Sequence, residues 1–226
     1  MNQRTSLKNL AKEIFRGNAK LSTYTAIRNI SLSVNRGEVI GVIGRNGAGK
    51  STLLKILAKV FPPSSGDLRI EGSVAPLIEL GAVFHPELSG RENVLLYSAL
   101  LGREVREVKR RIEEIAEWAG VLEQLDFPVR AFSSGMVARL AFATATDRGS
   151  DILLIDEILS VGDADFQNKS KNRIKSLIQN GTTVIFVSHD LLMVSELCSK
   201  VLWIEDGKVK MFGQTDSVLV SYESAL

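Results

Sequence analysis

Residues 39–57 read VIGVIGRNGAGKSTLLKIL, and no other stretch limits the fold as tightly. An apolar run of strand length enters a glycine-rich loop, and the loop enters a helix-forming apolar segment without a break. Gly44-Arg45-Asn46-Gly47-Ala48-Gly49-Lys50-Ser51 matches the G-x-x-x-x-G-K-[ST] pattern in full, in the strand–loop–helix context that the pattern requires. Gly44, Asn46, Gly47 and Gly49 let backbone N–H groups wrap a β-phosphate. Lys50 can reach the β- and γ-phosphates, the Ser51 hydroxyl can ligate Mg²⁺, and Thr52 completes the phosphate-binding set. A plain tight turn would not account for a lysine at the helix start.

The remaining pattern alternates strands and helices. Residues 26–34 (AIRNISLSV) alternate apolar and polar positions as a half-buried strand does, and residues 61–72 read as a turn followed by a short strand. Residues 91–147 have helical periodicity, with one segment at 91–102, a second at 104–120 and a third after Ser134. This block, taken as roughly 88–147, interrupts the α/β pattern as an inserted helical subdomain. Further strands are predicted at DILLIDE and TTVIFVSHD and further helices at FQNKSKNRIKSLIQ and LLMVSELC. A hairpin turns at Asp206-Gly207, and a helix follows at the end of the sequence. Alternation of this kind implies a parallel sheet with its ligand at the strand carboxyl ends.

Two of those ends carry chemistry. Asp156 follows the apolar run ILLI, where a carboxylate can hold Mg²⁺ beside the phosphate loop, and Glu157 next to it can polarise an attacking water. His189 closes the strand TTVIFVSH, where its imidazole can hydrogen-bond a γ-phosphate. His85 reads as structural or subunit-facing, and Trp118 as a core residue. These parts suffice for a nucleoside triphosphatase, and the chain has no N-K-x-D segment of the guanine-reading kind.

Composition excludes several other classes. With 45% hydrophobic and 24% charged residues the 226-residue chain can bury a sizeable core. A formal net charge of +2 gives no reason to invoke nucleic acid. The single cysteine, Cys198, cannot form an internal disulfide and reads as a buried, inert thiol in a reducing compartment. No apolar run approaches the roughly 20 residues of a membrane span. Residues 7–16 (LKNLAKEIFR) form a basic amphipathic helix by period, which packs either on its own domain or near anionic lipid.

Residues 132–136 (FSSGM) pose a separate question, because small residues at a helix start expose N–H groups to an anion and so give the chain a second phosphate-type helix start. The order of phosphate loop, helical insert ending in Ser-Ser-Gly, strand ending in Asp-Glu and strand ending in His resembles the ATP-binding cassette (ABC) ATPases along essentially the whole chain. The resemblance implies an α/β P-loop NTPase (RecA-like) core with an ABC-type antiparallel β portion and an inserted α-helical subdomain, within a single nucleotide-binding domain over 1–226. It also implies ATP and Mg²⁺ as ligands and a head-to-tail dimer in which two copies sandwich two nucleotides, so the two anion sites serve different ATPs. FSSGM occupies the place of the family's L-S-G-G-Q signature, so Ser133 and Gly135 would contact the γ-phosphate on the partner, with Ser134 in place of a glycine. LSVGD matches the family's D-loop, with Asp163 at the dimer seam.

The segments VAPLIELGAVFHPELSGREN, FSSGMVARLAFA, IDEILSVGDADFQNKS and VSHD are similar to the ATPase subunits of polysaccharide exporters, of the O-antigen or teichoic-acid type. That implies a polytopic membrane permease as partner, a lipid-linked polysaccharide handled indirectly, and a place on the cytoplasmic face of the bacterial inner (plasma) membrane. Soluble cassettes of translation or DNA maintenance usually carry two cassettes or long coiled coils. A non-catalytic regulatory cassette would not be expected to keep Lys50, Asp156, Glu157 and His189. The chain departs from the family pattern in its first residues, which start almost at the basic helix without the usual strand. Tyr24 is then the best candidate to stack on adenine, with Phe15 second. Glu79 stands at or within one residue of the family's Mg²⁺-touching glutamine. No room is expected after the cassette for a carbohydrate-binding domain. Val83, Phe84 and Leu88 are expected to form a groove for a short helix of the permease.

Overall fold

The structure, a computed structural model, describes residues 25–78, 83–156 and 163–225. A six-stranded sheet organises them. In chain order the strands are β1 (Val39–Ile43), β2 (Val74–Leu77), β3 (Ile152–Asp156), β4 (Thr183–Val187), β5 (Lys200–Glu205) and β6 (Lys208–Gln214). Their spatial order is β2-β3-β4-β1-β5-β6, parallel throughout except for the antiparallel β5–β6 hairpin. Every residue of β1 and β4 is buried, as expected for central strands of a parallel sheet covered on both faces.

The two-residue period of the strands divides the core into two layers. Ile40, Val42, Leu154, Ile185, Val187, Leu202 and Ile204 face the side on which Leu53 and Leu54 of helix α1 (Lys50–Leu57) pack. Val39, Ile43, Leu153, Ile155, Val184, Phe186, Val201 and Trp203 face the other, larger layer. Between β2 and β3 the chain runs through α2 (Gly90–Leu100), α3 (Val105–Lys109), α4 (Ile112–Ala119) and α5 (Ser134–Thr146). Helix α6 (Ala164–Gln179) connects β3 to β4, α7 (Leu191–Leu197) connects β4 to β5, and α8 (Thr215–Glu223) follows β6. No helix among the described residues is long and apolar enough to cross a membrane.

Four local expectations need correction. The segment 26–34 is not a strand. Ile30, Leu32 and Val34 do alternate inward on the α1 side, but Asn29 takes a left-handed φ of 51°, which breaks the pleat. The short strand expected within 61–72 is likewise absent. The strand in this region is β2, which carries Pro76 and sits at a sheet edge, where a missing N–H is tolerated. The long helix expected over 104–120 is two helices, broken at Arg111. Its backbone leaves the helical region (φ −120°, ψ 2°) and its guanidinium meets Asp147 at 2.7 Å beyond the end of α5. Finally, Phe84 is not a groove residue. It is only 6% exposed and sits edge-on to Tyr97 of α2, with ring centroids 6.1 Å apart, because its ring packs into the larger core layer.

Candidate functional site

The carboxyl edge of the sheet collects the chemistry-bearing residues. Asp156 pairs with Val187 in β3–β4, and Val187 pairs with Val42 in β4–β1, so the three residues form one row. Two ladder spacings separate the outer members of this row, roughly 10 Å. The phosphate loop leaves β1 after Ile43, two positions beyond Val187 stands His189, and Asp156 ends β3. The half-buried Asp156 and the exposed His189 therefore share one edge with the loop.

The loop is shaped by close approaches on its inner side. A side chain at Gly44 would place its Cβ 2.2 Å from the Ile204 carbonyl oxygen, and one at Gly49 would lie 2.6 Å from Ile27 Cγ2. Either is far inside contact distance, so glycine is required at both positions. On the outer side Asn46, Gly47 and Ser51 are exposed, and no atom lies within 4 Å of where a Cβ of Gly47 would sit. Gly49 is the N-cap of α1 in a left-handed conformation (φ 105°), and a glycine there has no side chain to cap the start of the helix. Lys50 is 7% exposed, and its Nζ donates to the carbonyls of Gly44 at 2.7 Å and Arg45 at 3.2 Å. A buried ammonium cradled by carbonyls, beside a glycine-capped helix start and an open face, fits a polyphosphate. Thr52 is half-buried in the first turn of α1.

Ser133, Ser134 and Gly135 lie elsewhere, at the start of α5 in the helical layer. Ser133 is the N-cap and its Oγ accepts from Met136 N at 3.2 Å. Ser133 and Ser134 are exposed, and the nearest atom to a Cβ built on Gly135 is Ser133 Oγ, 3.9 Å away. Asp163 caps α6 by accepting from Phe166 N at 2.8 Å, and its other oxygen is 3.6 Å from Arg139 Nη1 on α5. Tyr24, Glu79 and Glu157, with the helix expected at 7–16, lie outside the described residues.

The sequence reading missed the contacts between distant segments. Gly207 N donates to the Ala48 carbonyl inside the phosphate loop, at 3.2 Å. Lys169 and Arg173 of α6 lie over the Trp118 ring of α4. The Asp206-Gly207 turn was legible, but nothing local in the sequence says what a turn touches.

Comparison with known proteins fits this geometry. Residues 27–160 match the ABC transporter family. The chain is 45% identical over 205 residues to the O-antigen export system ATP-binding protein RfbB of Myxococcus xanthus, covering 91% of this chain and 47% of that protein. It is 43% identical over 203 residues to the RfbB protein of Klebsiella pneumoniae, covering 90% of this chain and 82% of that one. It is 40% identical over 207 residues to the teichoic acids export ATP-binding protein TagH of Enterococcus faecalis, covering 92% and 46%. The chain thus spans about half the length of two of these relatives and most of the third. Among solved structures, an ATP-binding subunit of an ABC transporter superposes with a TM-score of 0.78 at 22% identity, covering 90% of both chains. The cassette MJ0796, in a dimeric post-hydrolysis state bound to ADP and Pi, superposes with a TM-score of 0.73 at 23% identity, covering 84% of this chain and 90% of that one. The fold is therefore the α/β P-loop fold of the cassettes, and the chain belongs to the ABC transporter family.

Proposed function

We propose that this cassette binds ATP with Mg²⁺ at the phosphate loop, pairs head to tail with a second copy, and drives a membrane permease that exports a lipid-linked O-antigen polysaccharide. The observation that carries the nucleotide chemistry is the shared strand edge of the phosphate loop, Asp156 and His189.

Gly44, Asn46, Gly47, Gly49, Lys50, Ser51 and Thr52 surround the phosphates. Lys50 exchanges its carbonyl partners for phosphate oxygens. Among the described residues there is no cluster of three or more His, Cys, Asp or Glu able to hold a metal. A hydroxyl and a carboxylate, as at Ser51 and Asp156, suit a cation that also takes phosphate and water oxygens, as Mg²⁺ does. Glu79 is the third residue assigned to that ion. Mg²⁺ supplies charge neutralisation along the β- and γ-phosphates. Glu157, next after Asp156, orients the attacking water, and His189 hydrogen-bonds the γ-phosphate.

Ser133, Ser134 and Gly135 present an exposed helix start that suits the γ-phosphate of the partner's nucleotide. Asp163 stands at the seam, and Tyr24 is assigned to adenine. The names of the Myxococcus and Klebsiella relatives support O-antigen export, and that of the Enterococcus relative supports teichoic acid as the second reading. Either places the cassette at the cytoplasmic face of the plasma membrane, held there by the permease.

The test has two arms. Purified protein is assayed for Mg²⁺-dependent phosphate release from ATP, native against Lys50→Ala. A strain lacking its O-antigen ATP-binding subunit is then given this chain with its cognate membrane protein, and surface polysaccharide is measured. Equal phosphate release by both proteins defeats the ATPase assignment. Intact ATPase without surface glycan defeats the O-antigen assignment alone.

A further inference from the structure

The β5–β6 hairpin ends in a two-residue turn in which both Asp206 (φ 48°) and Gly207 (φ 74°) are left-handed, the conformation that suits the twist of a tight hairpin. Most such turns point into solvent. This one is bonded on both sides. Gly207 N donates to the Ala48 carbonyl of the phosphate loop at 3.2 Å, and the Gly207 carbonyl accepts from Arg28 N at 2.6 Å. There is no space between the turn and the extended segment beside it, since a Cβ on Gly207 would lie 2.6 Å from the Ala26 carbonyl oxygen and 3.2 Å from Ile27 Cα. The same segment presses on the loop from its other end, where Ile27 Cγ2 and the Ala26 oxygen would lie 2.6 and 2.7 Å from a Cβ on Gly49. One turn, one loop and one extended segment thus meet in a three-way contact with glycine at two of its corners.

We propose that Gly207 is a positioning residue for nucleotide binding: it clamps residues 26–28 against the phosphate loop and so fixes both at once. The inference rests on the loop being the ATP site. Gly207 does not touch the phosphates. It acts through Ala48, which lies between Gly47 and Gly49, and through the segment that borders Gly49. Displacing the segment by the ångström or so that a methyl group demands would tilt Ala48 and the amides beside it.

Two causes of harm at Gly207 can be separated by substitution. Gly207→Ala brings both a strained left-handed alanine and the Cβ overlap. Gly207→Asn relieves most of the backbone strain, because asparagine tolerates this region, but keeps the overlap. Gly181 is the control, because its φ is 87°, no atom lies within 4 Å of its Cβ position, and it precedes β4 at the end of that strand opposite His189. The MgATP dissociation constant is measured by titration calorimetry for native protein, Gly207→Ala, Gly207→Asn, Gly181→Ala, Gly181→Asn and Lys50→Ala, and amide exchange at Arg28 is followed in each. The expected result is binding weakened roughly tenfold in both Gly207 variants, with Arg28 protection lost, and unchanged in both Gly181 variants.

Native affinity in Gly207→Asn overturns the clamp, because strain alone would then explain the alanine variant. Native affinity in both Gly207 variants overturns it as well. Equal weakening by the Gly181 variants also overturns it, because loss of stability would then suffice. If the Gly207 variants do not fold, Ile27→Ala decides. It leaves the turn intact and removes the side chain resting on Gly49, so weakened binding supports the clamp and native binding overturns it. If native protein and Lys50→Ala both fail to bind MgATP, the nucleotide reading itself falls and the clamp with it. That result is distinct from any of the Gly207 outcomes.

Discussion

The indole of Trp118 lies flat against the ring of Phe142, with planes 16° apart and centroids 5.7 Å apart. Phe166 meets both rings edge-on, at 5.5 and 5.8 Å. These three residues come from α4, α5 and α6, so one aromatic cluster ties the helix that Ser133 caps to the helix that Asp163 caps. Lys169 adds a hydrogen bond from Nζ to the Trp118 carbonyl at 2.7 Å and a cation over its ring at 4.6 Å. The Asp163–Arg139 pair spans the same two helices at their starts. The start of α5 and the start of α6 are therefore held in one packed unit.

Removing the centre of that unit should cost stability. Trp118→Ala is expected to lower the unfolding free energy by about 2–3 kcal/mol, less than a fully buried aromatic would, because Trp118 is half-buried at the margin of the core. Trp118→Phe should cost far less, because ring stacking on Phe142 survives. Urea unfolding followed by circular dichroism measures both. Equal stability of the alanine variant and the native protein would mean that the cluster does not hold the helices together.

Phe84→Ala is expected to act as a core truncation, costing about 3–5 kcal/mol. The isolated protein should show the loss, with no membrane partner present. Its thermal midpoint, compared with that of a Leu88→Ala variant, checks this.

How much of this was legible in the sequence follows from the range of the forces involved. The phosphate loop, the strands ending in Asp156 and near His189, and the Asp206-Gly207 turn are written in local patterns of apolar period and left-handed residues. Segments 26–34 and 104–120 were misread because single residues, Asn29 and Arg111, leave the regular conformation for reasons that period does not encode. The burial of Phe84 depends on Tyr97, and the clamp at Gly207 depends on Ala26 and Ala48, all distant in sequence. β2 escaped notice because it is four residues long and contains a proline.

On the proposed function, Glu157→Gln is expected to lower steady-state ATP hydrolysis by about 10²–10⁴-fold while nucleotide binding is retained, since only the group assigned to orient water is lost. Single-turnover phosphate release and equilibrium binding, measured on the same preparation, separate the two. Hydrolysis at the native rate would remove Glu157 from its assigned role.

Glu38 ties the start of β1 to the start of β5. Its carboxylate accepts from Lys200 Nζ at 2.7 Å and from Asn35 N at 2.9 Å. The Lys200 hydrogen bond first, and then the Asn35 donors, hold its pKa at about 2, below the ordinary 4.5. A depressed carboxylate stabilises the fold fully above its unfolded pKa, and that contribution fades as pH falls from about 4.5 through about 2. Glu38→Gln should therefore cost on the order of 1 kcal/mol at pH 7. The gap to native protein should narrow steadily in urea titrations between pH 4.5 and pH 3.

Cys198 is 7% exposed, and burial raises its thiol to about 12. Native protein should resist maleimide at pH 7.5 over hours and react with one equivalent once unfolded. Rapid labelling of the native state would show that α7 opens readily.

Among the described residues, both margins of the sheet are defended. On one side β2 offers only four residues, and Pro76 has no amide to donate to a newcomer. On the other, β6 carries Lys208 and Lys210, and a register shift between Trp203 and Ile204 bends the hairpin that supplies it. Charges, a proline and a bulge are the devices by which open sheets avoid recruiting a stray strand. Copies of this chain can therefore crowd together without these two margins joining them into a continuous sheet.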